Sequence, residues 1–416
     1  MAGATVAPRR RPHYPCLEGI RALAAGLIVV HHAVALSALG PPFHPSNRAG
    51  FLATPAKVMD MGVAIFFVLS GFLIYRPFVS AHLDGEQPMP ARRFWFRRLL
   101  RIVPAYWLAL SVLWAVGSLD LGSAWWRYYL FLQNYDAYTV FSGLVQAWSL
   151  ATEITFYLCI PLWSGLIRRV VGRGRTTLRL ELVGIAVLLA AGYVSRALFS
   201  ATDHLWVKPS SLNTAGVTMR AVSFTWLPNN VDLFALGMGL AVLSAWNHQQ
   251  ADDPRRLDRW LGTRPWLWWG GALAAFVYLA YAVGPPSLSS GNIGFGWQRR
   301  QFLYGLVGLL MMVPAVFGDQ ASGLIRRVLR WSPVAWLGTI SYGLYMWHLD
   351  LMARLVDKPT AGSLATLRWR GWAGTPFGQP APLWATLAVG FGLGTLVAAV
   401  SWYGLERPLQ RLKRRV

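Results

Sequence analysis

Charge is scarce in this chain. Only 13% of its 416 residues are Asp, Glu, Lys or Arg, against about a quarter in a soluble domain, so a single soluble domain is excluded. Acidic residues are rarer still: 17 Asp and Glu face 39 Lys and Arg, a formal charge of +22. Cysteine is nearly absent. Cys16 sits at the edge of the first apolar run and Cys159 inside a later one, so neither a disulfide framework nor a zinc-ligand spacing is available. There is no HExxH motif and no P-loop, which removes the zinc-protease and phosphate-cradle chemistries those motifs carry. Internal repeats and low-complexity segments are missing too. What is present is apolar: hydrophobic types reach 55%, Trp alone contributes 22 residues, and mean hydropathy is +0.39. A disordered basic tail is excluded by the same figures, because disorder needs low hydrophobicity. The composition is that of a polytopic membrane protein.

Apolar stretches long enough to cross about 30 Å of hydrocarbon fall at roughly 17–39, 57–79, 99–117, 145–167, 181–200, 221–246, 265–284, 299–318, 338–356 and 383–404. The expected fold is an all-α polytopic membrane helical bundle of about ten transmembrane helices, forming a single integral-membrane domain over 1–416 with no appended soluble domain. With both termini cytoplasmic, the clusters Arg9–Arg11, Arg92–Arg98, Arg168–Arg179, Arg255–Arg264, Arg326–Arg330 and Arg407–Arg415 all fall inside, the asymmetry of the positive-inside rule. Because the basic residues lie between apolar runs and not on one soluble face, the partner is the lipid bilayer or an anionic cytoplasmic substrate, and not nucleic acid. The N-terminal PRRRP and its apolar run resemble a signal peptide at first sight. The run continues too far and carries Glu18, Arg21, His31 and His32, so it reads as a retained first helix.

Polar groups at membrane depth are costly and face a bundle interior or a water-filled cavity, which makes each a functional candidate. Arg21 and His32 are eleven residues apart, so on a helix they share a face within about 20° and are separated by about 16 Å along the axis. Glu18 and Arg21, at i and i+3, can pair. His31 points elsewhere and reads as a packing or hydrogen-bonding residue. Ser70-Gly71 in GVAIFFVLSGFLIY suits close helix packing. Arg98 and Arg101 in RRLLRIVPAYW are one turn apart at the head of a span, a geometry that clamps phosphate as readily as it anchors topology. Glu153, in WSLATEITFYLCIPLW, is a lone carboxylate among apolar neighbours and needs a cationic partner, for which His32 is a candidate. His348 and Asp350 in ISYGLYMWHLDL point to different sides of their helix, and His348 reads as structural more readily than catalytic. Asp232 is a further candidate to line the same cavity.

These segments, read in order, resemble the acyltransferase 3 family of multi-spanning membrane acyltransferases. The likeness runs from LEGIRALAAGLIVVHHA through GVAIFFVLSGFLI, RRLLRIVPAYW, WSLATEITFYLCIPL and ISYGLYMWH to SWYGLERPLQRL. It implies transfer of an acyl group, often acetyl, from cytoplasmic acyl-CoA to a hydroxyl of a cell-envelope carbohydrate, glycolipid or sugar-bearing metabolite. No tightly bound cofactor and no metal are implied; acyl-CoA is the donor substrate, and the expected location is a bacterial plasma membrane. Carried over by motif, Arg21 and His32 are the Arg-x10-His pair, Arg98 and Arg101 the Arg-x-x-Arg motif, and Glu153 the acidic residue of the fourth span. The sequence departs from the family pattern at His348-Leu349-Asp350, where a Pro is expected two residues after the histidine. On this reading Arg21, Arg98 and Arg101 hold the donor phosphates, and His32 acts as general base or as a transient acyl carrier. Glu153 orients the imidazole, as the carboxylate of a catalytic triad does. A proton-coupled transporter or flippase is the competing class, since buried His, Glu and Asp also form proton relays.

Overall fold

A computed structural model describes residues 14–37, 54–171, 177–201, 208–210, 213–217, 222–249, 256–284, 293–356 and 382–412. Ten long helical segments run through them: α1 (Leu17–Ala35), α2 (Gly62–Leu83), α3 (Ala91–Ala115), α4 (Trp148–Val171), α5 (Thr177–Ala201), α6 (Leu227–Gln249), α7 (Pro265–Tyr278), α8 (Ile293–Val316), α9 (Ser332–Val356) and α10 (Leu383–Leu412). Eight segments are long and apolar enough to cross a membrane. The other two, α8 and α9, have 24 and 25 residues and carry more polar side chains. At 1.5 Å per residue each spans about 35 Å, which covers the hydrocarbon layer. The chain is an integral multi-pass membrane protein built as a helical bundle. A short antiparallel pair, β1 (Lys208–Ser210) with β2 (Asn213–Val217), lies between α5 and α6.

Lipid offers no hydrophobic drive between helices, so close association relies on small residues that let backbones approach. The central pair, α2 against α6, is built this way. A Cβ on Gly71 would sit 2.1 Å from the Phe234 carbonyl oxygen, and one on Gly237 1.9 Å from that of Val68. Phe67 and Phe156 stack on opposite sides of Phe234, which is fully buried. Helix α1 packs along α9, α5 and α8 flank α6, and α10 packs along α9. By contrast, α5 and α7 turn most of their surface outward, with Val187, Leu198 and Leu273 among the exposed side chains. Such surface is expected where lipid is the solvent.

Contacts between neighbours show the spans alternating in direction. Arg21, Arg98, Arg101, Arg168, Arg264 and Arg407 therefore gather at one end of the bundle, where both described chain ends also lie. Helix α10 is irregular: π-helical turns at Ala388–Leu393 and Trp402–Glu406 interrupt it. The first of these turns brings Gly390 against Val29 of α1 and Met352 of α9, beside the polar residues described below.

The glycine contacts predict a sharp contrast in stability. Gly237→Ala pushes a methyl into a carbonyl oxygen that is held in the α2 backbone, and is expected to cost about 1–3 kcal/mol. Gly165→Ala, where nothing lies within 4 Å of the new methyl, is expected to be neutral or stabilising by up to about 1 kcal/mol. Thermal unfolding of the two variants in detergent measures the difference; equal transition temperatures would refute the close packing.

Candidate active site

The structure brings the sequence candidates to one polar column between α1, α2, α3, α4 and α9. At its arginine-rich end, Arg21 Nη1 donates to Glu18 Oε1 at 2.6 Å, the pairing expected from their spacing. Arg21 also interacts electrostatically with Arg101 and Tyr157, and Arg98 with Tyr157, Arg101, Arg21 and Glu153. The Arg98 guanidinium lies over the Phe94 ring, 5.7 Å from its centroid. Glu406 of α10 is buried, accepts a bond from Ser401 Oγ at 3.2 Å and faces Arg101 electrostatically. Each of the three arginines thus has a carboxylate nearby. Of these three, however, only Arg21 forms a direct ion pair with a described residue, so Arg98 and Arg101 keep donors available for an anion.

Further along the column, α4 contributes one stripe. Tyr157, Glu153 and Ser149 succeed one another at spacings of four, which keeps them on one side of the helix, and Gln146 stands in the short 3-10 turn (Val145–Ala147) that leads into it. Glu153 accepts hydrogen bonds from Ser70 Oγ and Tyr157 OH. One level on, Tyr345 OH donates to the Gln146 carbonyl at 2.7 Å and lies 2.7 Å from Ser149 Oγ. Gln146 Nε2 donates to Asp350 Oδ2 at 2.8 Å and to the Met346 carbonyl at 2.6 Å.

The far end of the column is a pair of histidines. His32 Nδ1 is 2.9 Å from His348 Nε2, with ring centroids 5.1 Å apart. His348 is fully buried, and its Nδ1 lies 3.0 Å from the Leu344 carbonyl oxygen. His31 instead donates from Nδ1 to the Ala56 carbonyl at 2.8 Å and is buried, the hydrogen-bonding role expected of it. Arg21, His32, Arg98, Arg101 and Glu153 are all half-buried amid buried apolar neighbours.

Two expectations are corrected. Glu153 is not the partner of His32: it lies one level nearer the arginines, where Ser70 and Tyr157 occupy it, and the antiparallel course of α4 and α9 puts Ser149 and Gln146 beside the histidine level instead. The partner that His32 has is His348. Asp232 lies outside the column, in a bidentate pair with Arg196 (2.8 Å for each N–O contact), surrounded by Gln298, Gln301 and the Asn229 carbonyl. Ser70 was legible only as a packing residue, although its hydroxyl holds Glu153. Tyr157 and Tyr345 carry a signal in hindsight, standing four residues after Glu153 and three before His348.

A second buried network also escaped the sequence reading. His82 Nδ1 is 2.5 Å from Glu181 Oε1, His82 Nε2 is 2.8 Å from Ser164 Oγ, and Tyr75 OH donates to Glu181 Oε2 at 2.5 Å. It has the bonding order of a nucleophile triad, yet Ser164 is 1% exposed. No substrate reaches that hydroxyl, and the network ties α2, α4 and α5 together.

The fold and the column define a multi-spanning membrane bundle with a cluster of arginines toward one end and a histidine pair toward the other. Residues 14–403 match the model of the acyltransferase 3 family, an acyltransferase domain, and the chain belongs to that family. It is 25% identical over 363 residues to the peptidoglycan O-acetyltransferase OatA of Listeria monocytogenes, covering 82% of this chain and 50% of that protein. It is 26% identical over 371 residues to the O-acetyltransferase OatA of Staphylococcus aureus, covering 82% and 51%. Nodulation protein 10 of Rhizobium leguminosarum is 25% identical over 420 residues, covering 95% and 92%. The chain therefore spans about half the length of the two O-acetyltransferases. No solved structure gives a significant match.

The Arg196–Asp232 pair provides a test that separates structural from functional polar groups. Arg196→Met leaves a buried carboxylate without its partner and is expected to cost about 3–5 kcal/mol, whereas the double variant Arg196→Met/Asp232→Leu recovers most of that loss. Thermal unfolding of the single and double variants reads the coupling. Stability that is unchanged in the single variant would show that the pair does not hold α5 to α6.

Proposed function

We propose that this chain is a membrane O-acyltransferase that moves an acyl group, acetyl in the first instance, from cytoplasmic acyl-CoA to a hydroxyl of a cell-envelope carbohydrate or glycolipid. The observation that carries the reading is the half-buried column with arginines at one end and His32 at the other. The rise of about 16 Å between Arg21 and His32 is of the order of a pantetheine arm. The positive-inside bias supports a cytoplasmic arginine end and cytoplasmic termini in a bacterial plasma membrane, the side on which acyl-CoA is found. The relatives named as O-acetyltransferases of peptidoglycan support acetyl as the group and a glycan hydroxyl as the acceptor.

In the proposed reaction Arg98 and Arg101 bind the donor phosphates through charge-assisted bonds, with Arg21 held beside them by Glu18. Glu153, held by Ser70 and Tyr157 and within electrostatic reach of Arg98, serves as a positioning residue for the donor site. The thioester comes to rest near His32. The acceptor hydroxyl oxygen attacks the thioester carbonyl carbon while His32 takes its proton. The carbon–sulfur bond breaks, and the departing CoA thiolate recovers the proton from the imidazolium, leaving an ester and free CoA.

Two outcomes are expected with purified protein in lipid nanodiscs, radiolabelled acetyl-CoA and a panel of peptidoglycan fragments and glycolipids. His32→Ala abolishes label transfer while the protein keeps its unfolding transition; turnover retained by that variant would sink the assignment. Arg98→Ala and Arg101→Ala each raise the donor KM about tenfold or more, the loss of one charge-assisted bond worth about 1.5–3 kcal/mol. An unchanged donor KM would mark them as topogenic arginines only. Movement of an acceptor across the membrane without acylation would instead favour a transporter.

A further inference from the structure

We infer that His348 is a positioning residue that sets the tautomer of His32 and so selects Nε2 of His32 as its reacting nitrogen. The inference rests on the reading of His32 as the base and adds which atom acts and what makes it act. The argument is one of donors and acceptors. A backbone carbonyl only accepts, so the 3.0 Å contact between His348 Nδ1 and the Leu344 carbonyl places a proton on His348 Nδ1. In a neutral ring the other nitrogen, Nε2, then carries a lone pair and no proton. The His32 nitrogen 2.9 Å away is Nδ1, and it must be the donor. His32 is therefore held as the Nδ1–H tautomer, with the Nε2 lone pair free.

The surroundings lock this arrangement. His348 has no exposed surface, so solvent does not compete for its Nε2. Its ring packs against Tyr345, with centroids 5.9 Å apart, and Tyr345 is itself held by Ser149 and Gln146. On the other side, Gly394 of α10 comes within 3.8 Å of the His348 Cα, measured from where a Cβ would sit. His32, in contrast, is half-buried, leaving its second edge for substrate. When His32 takes a proton on Nε2, its Nδ1–H bond to His348 becomes charge-assisted and stronger. His348 thus does for His32 what an acidic residue does in a hydrolase triad, with a neutral acceptor in place of a carboxylate.

Two near-isosteric substitutions separate this role from packing. In His348→Gln the amide oxygen reaches the position of Nε2 and still accepts from His32. In His348→Asn the amide reaches only the Nδ1 position, keeping the Leu344 bond and losing His32. With acetyl-CoA and the acceptor that the panel above identifies, His348→Gln is expected to keep kcat within about fivefold. His348→Asn is expected to lose about 10²–10³ in kcat, the scale of general acid–base catalysis, with the donor KM unchanged. Nitrogen-15 spectra of histidine-labelled protein, with the His32 signals assigned by their loss in His32→Ala, read the tautomer directly. His32 is expected as Nδ1–H in the wild type and His348→Gln, and not in His348→Asn. Equal activity of the two variants, or an Nδ1–H His32 that persists in His348→Asn, overturns the inference while leaving His32 as the base. An active His32→Ala overturns both, and is recognised as the failure of the base itself.

Discussion

Inside a bilayer every buried polar group must find its partner within the protein, since hydrocarbon supplies none, and the layout of this molecule follows from that requirement. Backbone groups meet it by forming helices, which is why the bundle is helical wherever it crosses the membrane. Side chains meet it by clustering. Arg196 with Asp232, His82 with Glu181 and Ser164, and Glu153 with Ser70 and Tyr157 are three solutions on the same few helices. The first two are fully internal. The third belongs to a column in which Arg21, His32, Arg98, Arg101 and Glu153 remain half-buried, and that difference in access separates the candidate site from the two struts.

Helix packing decides where those clusters form. The close approach of α2 and α6 through Gly71 and Gly237 sets the distance of α4 and α5 from the centre. That packing also aims Ser70, the residue before Gly71, at Glu153. Likewise α1 and α9 meet without a gap where Gly338 faces the Glu18 carbonyl, 1.9 Å from where its Cβ would be. From that contact the two helices continue side by side until His32 meets His348. The histidine pair is thus a consequence of two helices sharing a starting point and a direction. Placing a neutral imidazole, and not a carboxylate, behind His32 suits the depth at which it sits, because an unpaired buried charge is far more costly there than a neutral hydrogen-bonding ring.

Much of the framework was legible from residues alone. All ten apolar stretches correspond to long helices, because runs of about twenty apolar residues report membrane thickness whatever their neighbours. The Glu18–Arg21 pair and the common face of Arg21 and His32 were readable because both are periodicities within one helix. Glu153 was recognised as anomalous from its surroundings in the fourth span. Its partner was not, since any of several cationic or hydroxyl groups on other helices satisfies a carboxylate equally well on paper. His348 was undervalued for the same reason: two residues from Asp350 and lacking the expected proline, it gave no intrahelical sign of what it faces.

The sequence by itself determined the membrane class, the positions of the apolar stretches, the family and the three-turn spacing that puts Arg21 and His32 on one stripe, because each of these depends on composition or on spacing along a single helix. Only the tertiary structure decided that Asp232 belongs to Arg196, that Glu153 belongs to Ser70, and that His32 belongs to His348. Those pairings join residues 36, 83 and 316 positions apart in the chain. Over such separations no periodicity survives, and the choice of partner is made by how closely the helices can approach.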